Sequence, residues 1–174
     1  IQYNVGAQYE GDGRFYKAEL YYKKYDRLAL VEKGTVDVAE VLTSGGYGYS
    51  KGFDLFFNDR VLLKNLEYQL SYTYNIAKRK FQEYTELTTP QYATRHNASL
   101  VLKYSIPRIG TIVGLTNRFS SGRPYHNPDL PGLMNDHVKP YNSLDLGLTF
   151  LPSKKVIIHA SAPISFVGKM SLGG

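Results

Sequence analysis

Leu66-Glu67-Tyr68-Gln69-Leu70-Ser71-Tyr72-Thr73-Tyr74-Asn75-Ile76 alternates without an error. Even positions are aliphatic or tyrosine, and odd positions are Glu, Gln, Ser, Thr and Asn. A period of two sends the two sets to opposite faces of an extended strand. Strands of soluble proteins usually run about 5–6 residues. This one, at about 3.3 Å per residue, spans roughly 36 Å. Tilted by about 45° it rises roughly 25 Å, the height of the apolar band of a transmembrane β-barrel. One face is read as meeting lipid and the other a wet interior.

Composition agrees with that reading. The chain has 174 residues, 16 of them Tyr, and no Trp. Tyrosine suits strands and membrane interfaces. Mean hydropathy is −0.33 and no apolar run approaches 18 residues, so helical membrane spans are excluded. A barrel escapes that test because half of each strand is polar. The absence of Cys removes disulfide scaffolds and thiolate zinc sites. The net charge of +6 is spread over Lys23, Lys24, Arg27, Lys51, Lys78, Arg79, Lys80, Lys154 and Lys155. No nucleic-acid-binding motif accompanies it, and no nucleic-acid partner is expected.

Eight long strands are expected, at about 2–10, 14–30, 47–58, 66–81, 95–105, 110–120, 140–150 and 155–161. Tyr3, Val5, Ala7 and Tyr9 share the apolar face of the first. Tyr16, Ala18, Leu20 and Tyr22 share that of the second, with Lys17, Glu19 and Lys23 opposite. Leu144, Leu146, Leu148 and Phe150 oppose Ser143, Asp145, Gly147 and Thr149 on the seventh. Connections alternate between short turns and long loops, the long ones at 32–46, 82–94 and 121–139. In an up-and-down barrel every second connection lies on the same side, and outer-membrane barrels pair short periplasmic turns with long external loops. The eight prolines fall in loops, turns, strand starts or the tail. No signal-peptide pattern starts the chain, which opens directly in strand pattern and reads as a piece of a longer protein.

Several motifs could carry chemistry. Gly48-Tyr49-Ser50-Lys51-Gly52 matches G-x-S-x-G, but a nucleophile elbow needs a helix after it. Here the alternating Phe53-Leu55-Phe57 follows, so a glycine-bearing strand start is expected. His126 and His137 share a loop with Asp129 and Asp136, yet polar loop residues explain them without a metal. His159 is assigned to the interior. Glu67 and Asp145 lie on inward faces of separate strands and read as lumen lining, not as a glycosidase pair. Glu67, Gln69, Asn75 and Asp145 are therefore the expected lumen-facing residues. Loop 121–139 brings a guanidinium, an aromatic ring and an imidazole together at Arg123, Tyr125 and His126. Such groups grip polar ligands by stacking and hydrogen bonding. With Tyr84 and Tyr92 of the preceding loop they form the expected ligand-binding set. No catalytic residue, metal or cofactor is expected.

The ordered tracts Gly48-Tyr49-Ser50-Lys51-Gly52-Phe53-Asp54-Leu55-Phe56-Phe57 and Tyr68-Gln69-Leu70-Ser71-Tyr72-Thr73-Tyr74-Asn75 resemble the C-terminal barrel of TonB-dependent outer-membrane receptors. Thr94-Arg95-His96-Asn97-Ala98-Ser99-Leu100, Phe119-Ser120-Ser121-Gly122-Arg123-Pro124-Tyr125 and Tyr141-Asn142-Ser143-Leu144-Asp145-Leu146 extend the resemblance over about residues 1–161. It implies an all-β, antiparallel, up-and-down segment of about eight strands from a 22-stranded barrel. It also implies outer-membrane lipid, a plug domain, a TonB-type energy-coupling protein and a bulky nutrient as partners, and a bacterial outer-membrane location. Residues 162–174 depart from the family pattern and read as an atypical tail. The alternatives are a complete eight-stranded outer-membrane barrel with an adhesive or structural role, and a soluble β-barrel or sandwich that binds a ligand.

Overall fold

The structure, a computed structural model, describes residues 1–32, 41–153 and 155–167. Eight strands make one antiparallel sheet: β1 Gln2–Gly11, β2 Arg14–Glu32, β3 Val41–Leu63, β4 Leu66–Lys80, β5 His96–Ile106, β6 Thr111–Ser120, β9 Tyr141–Ser153 and β10 Val156–Val167. Each pairs with its neighbour in the chain, in the order β1-β2-β3-β4-β5-β6-β9-β10. The pair β7 Pro124–Tyr125 and β8 Asp136–His137 is a separate small hairpin inside the last long connection. This is the up-and-down barrel wall that the alternation predicts.

Register assembles the two faces across strands. Val5 opposes Leu20, Leu20 opposes Phe53, and Phe53 opposes Tyr74. Leu70 lies between Phe57 and Leu100, and Leu115 opposes Leu102 and Leu146. Rings interlock along this face, with Tyr9 and Tyr16 stacked at 6.0 Å and Phe53 between Tyr72 and Tyr74 at 5.7 and 5.6 Å. Cross-strand aromatic pairs of this kind hold a register in place. A slip of one residue would send every apolar group to the opposite face.

Among the described residues nothing packs against the apolar face. Among the described residues, the buried apolar ones are Leu30, Ala77 and Ala93, and none belongs to that face. Leu70 is 36% exposed and Leu148 48%. Leu66 and Leu144 are half-buried by strand neighbours alone. A soluble barrel or sandwich would enclose these leucines; the described residues leave them uncovered. Among the described residues β1 and β10 share no ladder, which leaves the sheet an open wall rather than a closed eight-stranded barrel.

Several boundaries differ from expectation. β3 starts at Val41 rather than 47, with Thr43 opposite Leu30 and Val41 opposite Glu32. Ser44-Gly45-Gly46 reads as loop because glycine is a weak strand former. A Cβ at Gly46, however, would lie 2.7 Å from the Leu28 carbonyl and 2.6 Å from that of Lys80, so this glycine permits a close strand approach. β2 likewise continues past 30 to Glu32, through a register shift at Arg27 whose φ is 61°. The remainder of the expected loop, 33–40, lies outside the described residues.

The eighth strand runs to Val167, past the expected end at 161 and into the segment read as an atypical tail. Pro163 sits in it, opposite Asp145 of β9. Residues 168–174 lie outside the described region.

The short connections are tight. Asp12 and Gly13 (φ 51° and 75°) link β1 to β2, and Asn65 (φ 63°) closes the β3–β4 turn. That turn is only Lys64-Asn65, because pairing extends to Leu63–Leu66 instead of stopping at 58. Asp59, 1% exposed, organises the irregular stretch before it. Its carboxylate accepts the Val61 and Leu62 N–H groups at 2.8 Å each, the Tyr16 hydroxyl at 2.5 Å and Arg14 at 3.1 Å. Between β5 and β6 a short 3-10 turn, Pro107–Ile109, ends at Gly110 with φ 60°.

Candidate functional site

The polar face lies on one side of the sheet. Glu67, Gln69 and Asn75 of β4 and Asp145 of β9 all belong to it by register. Glu67, Asp145 and Asn75 are each held by partners on this face. Glu67 binds Arg60 at 3.0 Å and Lys103 at 3.9 Å, and Asp145 binds Arg118 at 2.5 Å. Asn75 accepts the Ser50 hydroxyl at 2.8 Å and that of Tyr21 at 3.1 Å. His159 shares this face and contacts Thr149 at 2.9 Å.

The G-x-S-x-G tract has its explanation here. It lies inside β3, not at its start. Gly52 stands between Tyr21 and Asn75, and a Cβ there would collide with the Tyr74 carbonyl and the Tyr21 ring. The glycine lets the tyrosine lie across the strand to reach the asparagine. Ser50 is spent on the same amide, and no helix follows it.

At the long-loop end the polar face is roofed by segment 81–95. Gln82, with φ 50°, turns the chain inward beside β2. It donates to Ala29 O at 2.7 Å and accepts Val31 N–H at 2.8 Å. Thr88 and Arg79 exchange backbone hydrogen bonds at 2.8 and 3.2 Å. Pro90 and Ala93 are buried underneath. Arg79 pins the roof from below. Its guanidinium lies 4.3 Å from the Tyr25 ring centroid and 5.6 Å from that of Tyr92, and donates to the Tyr92 hydroxyl at 2.6 Å. The expected set omits Arg79. The alternation already places it on the wet face with Asn75, but its partners come from other segments.

The second roof element is loop 121–140, ordered by its own side chains. Asn135 Nδ2 donates to the carbonyls of Asn127, Leu130 and Gly132 at 2.9, 2.6 and 3.0 Å. The Asp136 carboxylate accepts the Tyr125 hydroxyl at 2.5 Å and the Asn127 amide at 3.1 Å. The Tyr125 hydroxyl, then the His137 N–H and the Asn127 amide, hold the Asp136 carboxyl below the usual carboxylate range. The same contact raises the Tyr125 hydroxyl. The two loops are tied together: Leu133 N–H donates to Glu86 at 3.1 Å, and the Thr88 hydroxyl to Leu133 O at 3.2 Å.

Between them lies a concavity of about 650 Å³, lined by Tyr92, Arg123, Tyr125 and Tyr141 among others. The structure thus brings together three of the five expected ligand-facing residues. Tyr84 stands apart, with its ring against Phe81 at 5.1 Å and its hydroxyl accepting Gln91 N–H. His126 is exposed and does not line the concavity. Because Asp136 occupies its hydroxyl, Tyr125 offers a ring rather than a donor. Arg123 is exposed and supplies positive charge. The arrangement can stack on and hydrogen-bond to a small ligand. Among the described residues, no three His, Asp or Glu converge as a metal site.

Comparison with known proteins bears on family and fold. A family model described as "TonB dependent receptor-like, beta-barrel" matches residues 1–162. Among solved structures, the FrpB iron transporter from Neisseria meningitidis (F3-3 variant) superposes with a TM-score of 0.66 at 12% sequence identity. The alignment covers 87% of this chain and 24% of that one, so the chain spans about a quarter of that transporter's length. Identity this low carries the fold alone. No curated protein matches the sequence.

Proposed function

Because the chain belongs to the TonB-dependent receptor β-barrel family, we propose that it forms wall and external loops of an outer-membrane receptor that actively imports a bulky nutrient. The observation that carries this reading is the apolar face left unpartnered by the described residues and backed by a mainly polar one. That is the surface pair a strand presents between hydrocarbon and a wet lumen. An open sheet edge is not tolerated in lipid, so β1 and β10 call for further strands on either side.

The ligand enters from the long-loop side. Tyr92, Arg123 and Tyr125 contact it in the concavity between the two roof loops, and Tyr84 and His126, outside that concavity, complete the proposed set. Glu67, Gln69, Asn75 and Asp145 line the lumen. A plug domain and an energy-coupling protein, both supplied outside this segment, perform the opening step. The segment contributes no catalytic chemistry. The fold likeness to an iron transporter assigns no cargo here.

The test uses cells producing the complete receptor that carries this segment. Growth on panels of ferric chelates, cobalamins, oligosaccharides and peptides is compared with and without the energy-coupling protein. One class should support growth only when both are present, and the Arg123→Ala/Tyr92→Ala variant should need a higher concentration of it. Recovery of the receptor in the soluble fraction, or nutrient use independent of the coupling protein, would refute the proposal.

A further inference from the structure

Ligand capture uses one end of the wall; the opposite end, at the short turns, carries a separate pattern. Three of these turns join a protruding aliphatic group to a cation. Leu62 and Leu63 precede Lys64, Arg108 precedes Ile109, and Lys155 precedes Val156 and Ile157. Leu62, Ile109 and Ile157 are 61, 58 and 71% exposed. Lys64, Arg108 and Lys155 are exposed and form no ion pair among the described residues. Just above them Arg14, Arg60 and Lys103 are neutralised by Asp59 and Glu67. The turns stand side by side: Asn65 O accepts Ser105 N–H, and Gly110 O accepts Leu151 N–H, each at 2.8 Å. The remaining turn, Asp12-Gly13, is acidic and has no such pair.

An aliphatic group beside an uncompensated cation suits the boundary between acyl chains and headgroups. The hydrocarbon enters the apolar layer and the charge stays at phosphate level. A docked protein would require these groups gathered into one patch or groove. Here they are spaced one pair per turn along the rim, which is the contour of a leaflet. We infer that the short-turn rim from β3 to β10 binds anionic phospholipid headgroups of the leaflet it meets. The inference rests on the reading that the apolar face meets lipid.

The test is native mass spectrometry of the complete receptor, in detergent, with equimolar phosphatidylglycerol and phosphatidylcholine of matched acyl chains. Phosphatidylglycerol should be retained preferentially. The K64Q/R108Q/K155Q variant should lose most of that preference. K78Q, at the opposite end of β4, should keep it. Heat-modifiable gel migration reports folding of each variant, and so tests the membrane reading separately. If the triple variant fails to fold, the three single variants are read in turn, and each should lose part of the preference. Equal retention of the two lipids by the unaltered receptor, or an undiminished preference in the folded variants, overturns the inference.

Discussion

Leu70→Arg measures directly which face of the wall meets hydrocarbon. Leu70 lies four positions above the start of β4, between Phe57 of β3 and Leu100 of β5. At about 3.3 Å per residue and a tilt near 45°, that is roughly 10 Å up a band about 25 Å tall, close to its middle. An arginine near the midplane of a barrel's lipid face costs about 2–4 kcal/mol. Ser71 is next in sequence but on the polar face, between Phe56 and Ser99. An arginine there stays hydrated and should cost about 0.5 kcal/mol or less. The assay is guanidinium unfolding of the complete receptor in phosphatidylcholine bilayers, followed by tyrosine fluorescence. The midpoint should fall for Leu70→Arg and hold for Ser71→Arg, with the slope unchanged in both. Equal costs at the two positions, or the larger cost at 71, would refute the assignment of faces.

Other outcomes follow from single contacts. Gly52→Ala drives a methyl against the Tyr74 carbonyl and should cost about 1–3 kcal/mol in the same unfolding assay. Gly147→Ala meets nothing nearer than His159 at 3.7 Å and should be close to neutral. Arg118→Ala breaks a solvent-exposed pair with Asp145 and should change stability by about 1 kcal/mol or less. Arg79→Ala removes the pin beneath Tyr92, and hydrogen exchange in segment 81–95 should accelerate while exchange in β5 is unchanged. The Asp136 carboxyl titrates below its ordinary value in the folded loop. Its stabilising contribution is therefore complete above the ordinary carboxylate range and is lost only as pH falls through the depressed value. Tyr125→Phe removes the largest cause, so hydrogen exchange in loop 121–140 should begin to accelerate at a higher pH on acidification. An unchanged onset would contradict the contact.

The alternation in β4 and its counterparts in the other strands, with the turn residues between them, was enough to establish the strands, their faces and the order of short and long connections. That information is local, because a period of two in one segment states which side chains share a surface whatever the neighbours are. The face assignments of Glu67, Asn75, Asp145 and Leu70 follow from it; Tyr92, Arg123 and Tyr125 were singled out by side-chain type in the loops, and the fold places all three around one concavity. Strand ends did not follow: Gly46 is judged a breaker until the close approach of neighbouring strands supplies its reason, and Pro163 until its pairing opposite Asp145 places it inside a strand. The Arg79 pin, the Asp136–Tyr125 contact and the separation of Tyr84 and His126 from the concavity were decided by tertiary structure alone. Each joins segments whose distance in space depends on how two loops fold back over the wall, and no periodicity along the chain encodes that distance.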